Sequence, residues 1–338
     1  MTKPMHEIAH ARGHHLSDTL LTGNAPVVLR GLAAHWPLVQ AARQSDAVAD
    51  AYLRRFYDNA TVGVMLAPAH AQGRFFYNHD LSGFDFERAH ARLDAVLDEL
   101  ARLRNDKVAQ APAIYVGSTT VDTCLPGLRT DNDIDLGARD ALASIWIGNR
   151  TCIPAHYDLP DNIAVVAAGH RRFTLFPPEQ LGNLYVGPLD ITPAGQPVSL
   201  VDMRAPDLAR FPRYAQALEH AQTAELEAGD AIFIPSMWWH HIEALGEFNV
   251  LLNYWWRQSP AHMPAPITAL MLAFLTLRDL PPAQRQAWQE TFRHYIFEAD
   301  AGTAAHIPAA ARSVLAPLDA DGAQVLREQI LKKLQRPA

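Results

Sequence analysis

From about Ala111 to Trp256 the chain breaks into short apolar runs separated by glycine and proline, and this spacing narrows the choice of fold more than any other feature. The runs are Ala113–Gly117, Ser144–Gly148, Ile163–Ala168, Arg172–Phe176, Ala231–Ile234 and Phe248–Trp255. Each is rich in β-branched or aromatic residues and too short for a stable helix. Many such strands with turns between them predict a sandwich or a closed barrel.

Elsewhere the pattern differs. A short opening helix leads to Ala25–Gly31, which reads as a strand with a turn behind it at Trp36-Pro37, and Thr61–Leu66 alternates as a strand does. Asp46–Tyr57 and Phe86–Arg104 read as amphipathic helices, the second because Leu93, Val96, Leu97, Leu100 and Leu103 recur at three and four. Leu181–Glu227, dense in glycine and proline, reads as a long loop insertion, a kind of segment that often serves as a lid. Beyond Pro266, three apolar faces follow at helical spacing: Ile267 to Leu277, Trp288 to Ile296, and Leu326, Ile330 and Leu334. The first also carries Leu272, Ala273 and Leu275, so it is apolar around most of its circumference and must be covered, either deep in its own subunit or, as expected here, by a second copy of the chain. The expected organisation is an N-terminal elaboration over 1–110, a β core over 111–258 and a helical dimerisation segment over 259–338. The fold class is mainly β with flanking helices.

With 338 residues, 49% apolar and 19% charged, the chain has the make-up of a folded protein with a large core. Its net charge of −7, with no block of lysine or arginine, argues against nucleic acid as a partner. The run Ile267–Leu277 is about half the ~20 residues that span a bilayer. The first fifteen residues hold histidines but no apolar signal core, and the two cysteines, Cys124 and Cys152, cannot form a disulfide framework, so a cytoplasmic setting is expected. Cys152 reads as a small buried strand residue.

The candidate chemistry lies in His156-Tyr157-Asp158 and in Trp238-Trp239-His240-His241. Residues i and i+2 of a strand share a face, so His156 and Asp158 address one space while Tyr157 turns away. The turn and strand Gly229-Asp230-Ala231-Ile232-Phe233-Ile234-Pro235 leads to His240 as a third ligand. Alternation lets only one of His240 and His241 face inward, and His240 is the expected one. Two imidazoles and one carboxylate form the ligand set of a mononuclear non-haem iron centre with open positions. A lone His-x-Asp arises easily among 16 histidines; its joint occurrence with the second run makes it specific.

These residues, with Pro26-Val27-Val28-Leu29-Arg30-Gly31 through Trp36-Pro37 and Phe173-Thr174-Leu175-Phe176-Pro177-Pro178, resemble the cupin-like JmjC family of Fe(II)- and 2-oxoglutarate-dependent oxygenases, the asparaginyl hydroxylases being nearest in pattern. The resemblance runs from about Pro26 to Trp256. It implies a double-stranded β-helix (jelly roll) with His156, Asp158 and His240 on Fe(II) at its mouth, and a reaction that hydroxylates a C–H bond of a protein side chain or small molecule. It further implies Arg171 at the position where the family places a basic residue, usually lysine, on the distal carboxylate of 2-oxoglutarate. Tyr115 is similar to the tyrosine that reaches the same carboxylate, and Asn162 and Asn253 to asparagines lining the metal pocket. Ile153 stands where the family carries a hydroxyl. The C-terminal helices resemble the family's dimerisation segment. The triad alone also suits a cupin that works without 2-oxoglutarate, whether dioxygenase or isomerase, or a cupin that only binds.

Overall fold

The computed structural model describes residues 3–11, 16–106 and 110–335. The chain divides into two units, Met1–Gln258 and Ser259–Ala338. In the first unit the strands are β1 (Lys3–Pro4), β2 (His6–Ile8), β3 (Val27–Leu29), β4 (Thr61–Ala67), β5 (Glu87–Arg92), β6 (Ala113–Thr120) and β7 (Leu142–Gly148). They continue with β8 (Cys152–His156), β9 (Asp161–Ala168), β10 (His170–Phe176), β11 (Gln222–Glu227), β12 (Ala231–Ile234), β13 (Trp239–Ala244) and β14 (Asn249–Trp256). The smaller sheet has the order β1-β11-β10-β13-β8, and the larger β2-β3-β12-β9-β14-β7-β6-β4-β5. The result is a sandwich, mainly β with helical flanks, as the strand spacing predicts, and a jelly roll, as the family resemblance implies.

Burial explains why β9 is apolar from Ile163 onward. Its Ala164 and Val166 face the smaller sheet and pack with Phe173, Leu175, Leu226 and Ile232. Its Ile163, Val165 and Ala167 face outward, into a core shared with Leu38, Val39, Leu53, Leu97 and Leu100 of the flanking helices Pro37–Gln44, Asp46–Arg54 and Leu93–Asn105. A strand covered on both faces has no polar side to alternate with. Each large side chain buried in these two layers stabilises the fold by about 1.5–3 kcal/mol, so the sandwich does not depend on a metal for its cohesion.

Three expectations need correction. Glu87–Arg92 is not the start of a helix but strand β5, paired with β4, and the helix begins at Leu93. All the residues that carry the helical period lie at or after Leu93, so nothing held the earlier stretch in a helix. Leu181–Glu227 is not loop throughout: Tyr214–His220 is helical, and Gln222–Glu227 is β11, a central strand beside β10. Its Ala224 and Leu226 are buried and its glutamates exposed, a period of two that the surrounding glycine and proline obscured. Trp36-Pro37 is not a turn alone but opens the helix Pro37–Gln44, with proline at its first position, where no amide hydrogen is needed.

The N-terminal strands are tied down by Arg30. Its Nε and Nη2 donate to the Glu7 carboxylate, and its Nη1 to Asp230 and to the Glu225 carbonyl. The other Asp230 oxygen accepts from the Gly31 amide.

In the second unit, Ile267–Thr276, Pro282–Phe292 and Ala320–Leu334 are α-helices. None has a buried residue, and Leu275, Ile296 and Phe297 are exposed. Among the described residues no helix is long and apolar enough to cross a membrane.

Candidate metal centre

The inner face of the smaller sheet positions the site. His240 pairs with His156 across β13 and β8, and with Leu175 across β13 and β10. The same face carries Ile242 opposite Phe173 and Ala244 opposite Arg171. Asp158 lies just past β8 rather than on it. It is held there by the turn before His240: the Met237 amide donates to the Asp158 carbonyl at 2.9 Å, the Ser236 amide to Asp161 Oδ1 at 2.9 Å, and the Ser236 hydroxyl to the Leu159 carbonyl at 2.6 Å. Met237 takes a left-handed φ of 68° in this turn. Asp161 Oδ2 also accepts from Gln258 Nε2 at 2.7 Å. The clasp between the two ligand-bearing turns, Asp161 and Ser236, escaped the sequence reading. The available signal was an acid at the head of a strand that is apolar from Ile163 onward, which must find a partner.

His156, Asp158 and His240 each bring one ligand atom within 4.8 Å of the others. His240 Nε2 is 3.6 Å from Asp158 Oδ2, and the two imidazole centroids are 4.3 Å apart. His156 Nδ1 lies 2.9 Å from the Pro154 carbonyl and His240 Nδ1 2.9 Å from the Trp238 carbonyl. A carbonyl only accepts, so each Nδ1 carries a proton and each ring turns its Nε2 toward the shared centre. Burial, with the neighbouring His156 adding to it, pushes the His240 pKa down to about 4, so this ring is neutral at neutral pH, as a ligand must be. His241 points the other way. It is buried behind the sheet, 3.9 Å from Cys152 Sγ and 3.8 Å from Glu243 Oε1.

Arg171 is the most unusual side chain of the interior. It is 1% exposed, and its Nε, Nη1 and Nη2 have no hydrogen-bond partner. Burial lowers its pKa, and Tyr115 is the neighbour that opposes the shift. Tyr115 is itself pushed up to about 12 by burial, with the Arg171 charge acting against the rise. Arg171 follows the turn at Gly169, whose φ of 79° and contact with Asn249 exclude a Cβ. Four residues of β10 separate it from Leu175, the partner of His240, about 13 Å at the rise of a strand. Arg172 faces outward, on Glu225 and Glu243, as alternation predicts.

A cavity of about 360 Å³ opens on the triad. Ile153, Ile242 and Leu251 form its apolar wall, while Tyr115, Trp146 and Trp255 form an aromatic one. Tyr115 and Trp146 stack at 5.6 Å, and Trp255 meets Trp146 edge-on at 5.8 Å. Asn162 and Asn253 both line the cavity. Asn253 Oδ1 accepts from Trp146 Nε1 at 2.7 Å, whereas Asn162 Oδ1 and Trp255 Nε1 are buried without a partner. The lining stops at Tyr115 and Ile242, and Arg171 lies beyond them along β10. Phe75 also reaches the cavity, whereas Trp238, Trp239 and Trp256 pack in the cores.

A jelly roll with two histidines and an aspartate gathered at one end of its inner face defines a metal-binding cupin. Residues 14–262 match the cupin-like domain family, and the chain belongs to that family, whose JmjC-type members are iron- and 2-oxoglutarate-dependent oxygenases. It is 26% identical over 248 residues to lysine-specific demethylase 8 of Xenopus tropicalis, covering 72% of this chain and 50% of the relative. It is 34% identical over 113 residues to lysine-specific demethylase JMJ31 of Arabidopsis thaliana, 32% of this chain and 20% of the relative. It is 35% identical over 106 residues to tRNA wybutosine-synthesizing protein 5 of Gallus gallus, 31% of this chain and 30% of the relative. The chain thus spans half or less of the length of each of these relatives.

Proposed function

We propose that this protein is an Fe(II)- and 2-oxoglutarate-dependent oxygenase that hydroxylates a C–H bond of a protein or peptide side chain or of a small molecule, with release of succinate and CO2. The observation that carries this reading is Arg171. An unpaired guanidinium inside a protein costs several kcal/mol, and a carboxylate is the group that its planar fork satisfies through two hydrogen bonds. The same inner face carries the triad, so an acid held at one end by Arg171 extends toward the metal ligands.

His156, Asp158 and His240 would hold the metal, and two imidazoles with one carboxylate leave part of its charge and coordination available. Bound there, iron and 2-oxoglutarate supply the oxidative decarboxylation and the oxidation of the C–H bond. The protein's contribution is placement. Tyr115 stands beside the guanidinium and offers its hydroxyl to the same carboxylate. Asn162 and Asn253 give the cavity polar edges, while Ile153, Ile242 and Leu251 keep it dry. Because Ile153 brings no hydroxyl, the hold on the acid rests more heavily on Arg171. The likeness to asparaginyl hydroxylases rests on the motif and has no counterpart in the three relatives above. Exposed Leu275, Ile296 and Phe297 support a homodimer formed through the C-terminal helices, and the buried free thiols Cys124 and Cys152 suit the cytoplasm.

The test is turnover: the purified protein with Fe(II) and O2 should consume 2-oxoglutarate and release succinate in equal amount. No turnover with peptides, amino acids or small metabolites, together with no binding of 2-oxoglutarate to the metal-loaded protein, overturns the proposal.

A further inference from the structure

Resting on that reading only for its metal, we infer that Asp161 is a positioning residue: its carboxylate ties together the two chain crossings that carry Asp158 and lead to His240, and so sets how tightly the triad holds its ion. Between β8 and β9 the chain passes from the smaller sheet to the larger, and between β12 and β13 it passes back. His156 and His240 are fixed by their pairing across β8 and β13. Asp158 has no ladder to fix it, because it lies within the first crossing. The ladder between β9 and β12 ends at Asn162 and Ile234, and the next residue, Pro235, has no amide hydrogen with which to extend it. Here the side chain of Asp161 takes over. Its Oδ1 accepts from the Ser236 amide, in the second crossing, and its Oδ2 from Gln258, two residues beyond the Trp256 with which Asp161 itself pairs.

The sheet alone does not explain this acid. A strand end asks for no carboxylate, and a buried one is costly unless its oxygens are bonded; Asp161 is 4% exposed. Its effect is to carry the rigidity of the ladder between β9 and β14 into the second crossing. That crossing needs support, because Met237 holds a left-handed φ of 68°, which residues other than glycine keep only where their surroundings over-determine it. The remaining ties, from the Met237 amide to the Asp158 carbonyl and from the Ser236 hydroxyl to the Leu159 carbonyl, join one crossing to the other. They leave the pair free to shift together; Asp161 fixes both against the sheet. The bond from Gln258 steadies the carboxylate and reaches neither crossing.

The test is titration of Mn(II) into the full chain, followed by electron paramagnetic resonance, for the wild type, Asp161→Ala, Asp161→Glu, Asp161→Asn and Gln258→Ala, with thermal melts of the metal-free proteins alongside. Asp161→Ala should weaken Mn(II) binding about tenfold or more, the scale on which partners that orient metal ligands act. Asp161→Glu keeps the charge but displaces the carboxylate by one methylene; it should lose affinity likewise and gives the same reading should the alanine variant fail to fold. Asp161→Asn should stay within about threefold of the wild type, because its oxygen still accepts from the Ser236 amide and the Gln258 amide can turn over to offer its own oxygen. Gln258→Ala should also keep its Mn(II) affinity, even where it melts lower, a split that a merely structural bond network would not produce. Wild-type affinity in both Asp161→Ala and Asp161→Glu, a loss in Asp161→Asn as large as theirs, or an equal loss in Gln258→Ala would each overturn the inference. Failure of the oxygenase reading alone is separate, because it appears as a wild type that binds Mn(II) but not 2-oxoglutarate; a wild type that binds no Mn(II) overturns both.

Discussion

Two arginines at opposite ends of the chemistry show how this fold divides its work. Arg30 spends every face of its guanidinium on the protein: Glu7, Asp230 and the Glu225 carbonyl accept from it, and these carboxylates hold its pKa well above the ordinary value. Arg171 is more deeply buried and makes none of these bonds. A cation completed by its own fold is a structural tie. One left incomplete in a dry interior supports the proposed role of an anion-binding group, since an unsatisfied buried charge carries a cost that a bound anion would offset.

The largest contrast should come from the triad. Asp158→Ala or His240→Ala should weaken Mn(II) or Fe(II) binding by about 100-fold or more, because each removes a direct ligand from a three-ligand set. The melting temperature should barely move, since the two apolar layers are intact. His241→Ala should leave metal affinity unchanged; a loss as large as that of His240→Ala would move the third ligand one residue along.

Next is the pair of arginines. Arg171→Met should abolish 2-oxoglutarate binding, a loss of about 2–3 kcal/mol or more for a charge-assisted bidentate contact. It should leave the ligand-free protein as stable as before or more so, because replacing an unpaired buried charge with an apolar chain removes a desolvation cost. Arg30→Met should do the reverse, lowering stability by about 1–3 kcal/mol in denaturant titration with metal and 2-oxoglutarate affinities unchanged. If both variants destabilise alike, the division between them disappears.

The smallest effect concerns pH. The Arg30 side chain bonds to the Glu7 carboxylate and lowers its pKa. A folded pKa below the unfolded value means the stabilisation is present above about pH 4.3 and is lost as pH falls through the depressed value. Glu7→Gln should therefore reduce stability at pH 7 by less than about 1 kcal/mol, given solvent screening at this part-exposed pair. The same variant should show no loss near pH 3, which thermal melts at the two pH values would check.

The triad was legible because its chemistry demands particular residue types at a period of two, and the core strands because glycine and proline bracket them. Asp158 was placed on a strand and lies just past its end, yet i and i+2 still converge. What the sequence hid depends on tertiary contacts. β5 is polar along most of its length and is a strand only because β4 offers a ladder. β11 was masked by the insertion that precedes it. Asp161 and Ser236 are distant in sequence and meet only when the two ligand turns close on one another. Arg171 was readable only as an aligned position; its lack of partners belongs to the packed interior.

The most direct test of the central claim is an anaerobic titration of 2-oxoglutarate into the Fe(II)-loaded protein, read by its visible charge-transfer band, with wild type and Arg171→Met side by side. The account predicts a saturable band in the wild type and none in the variant, with Fe(II) binding equal in both. An identical titration curve in the two proteins, or no band in either, would contradict it.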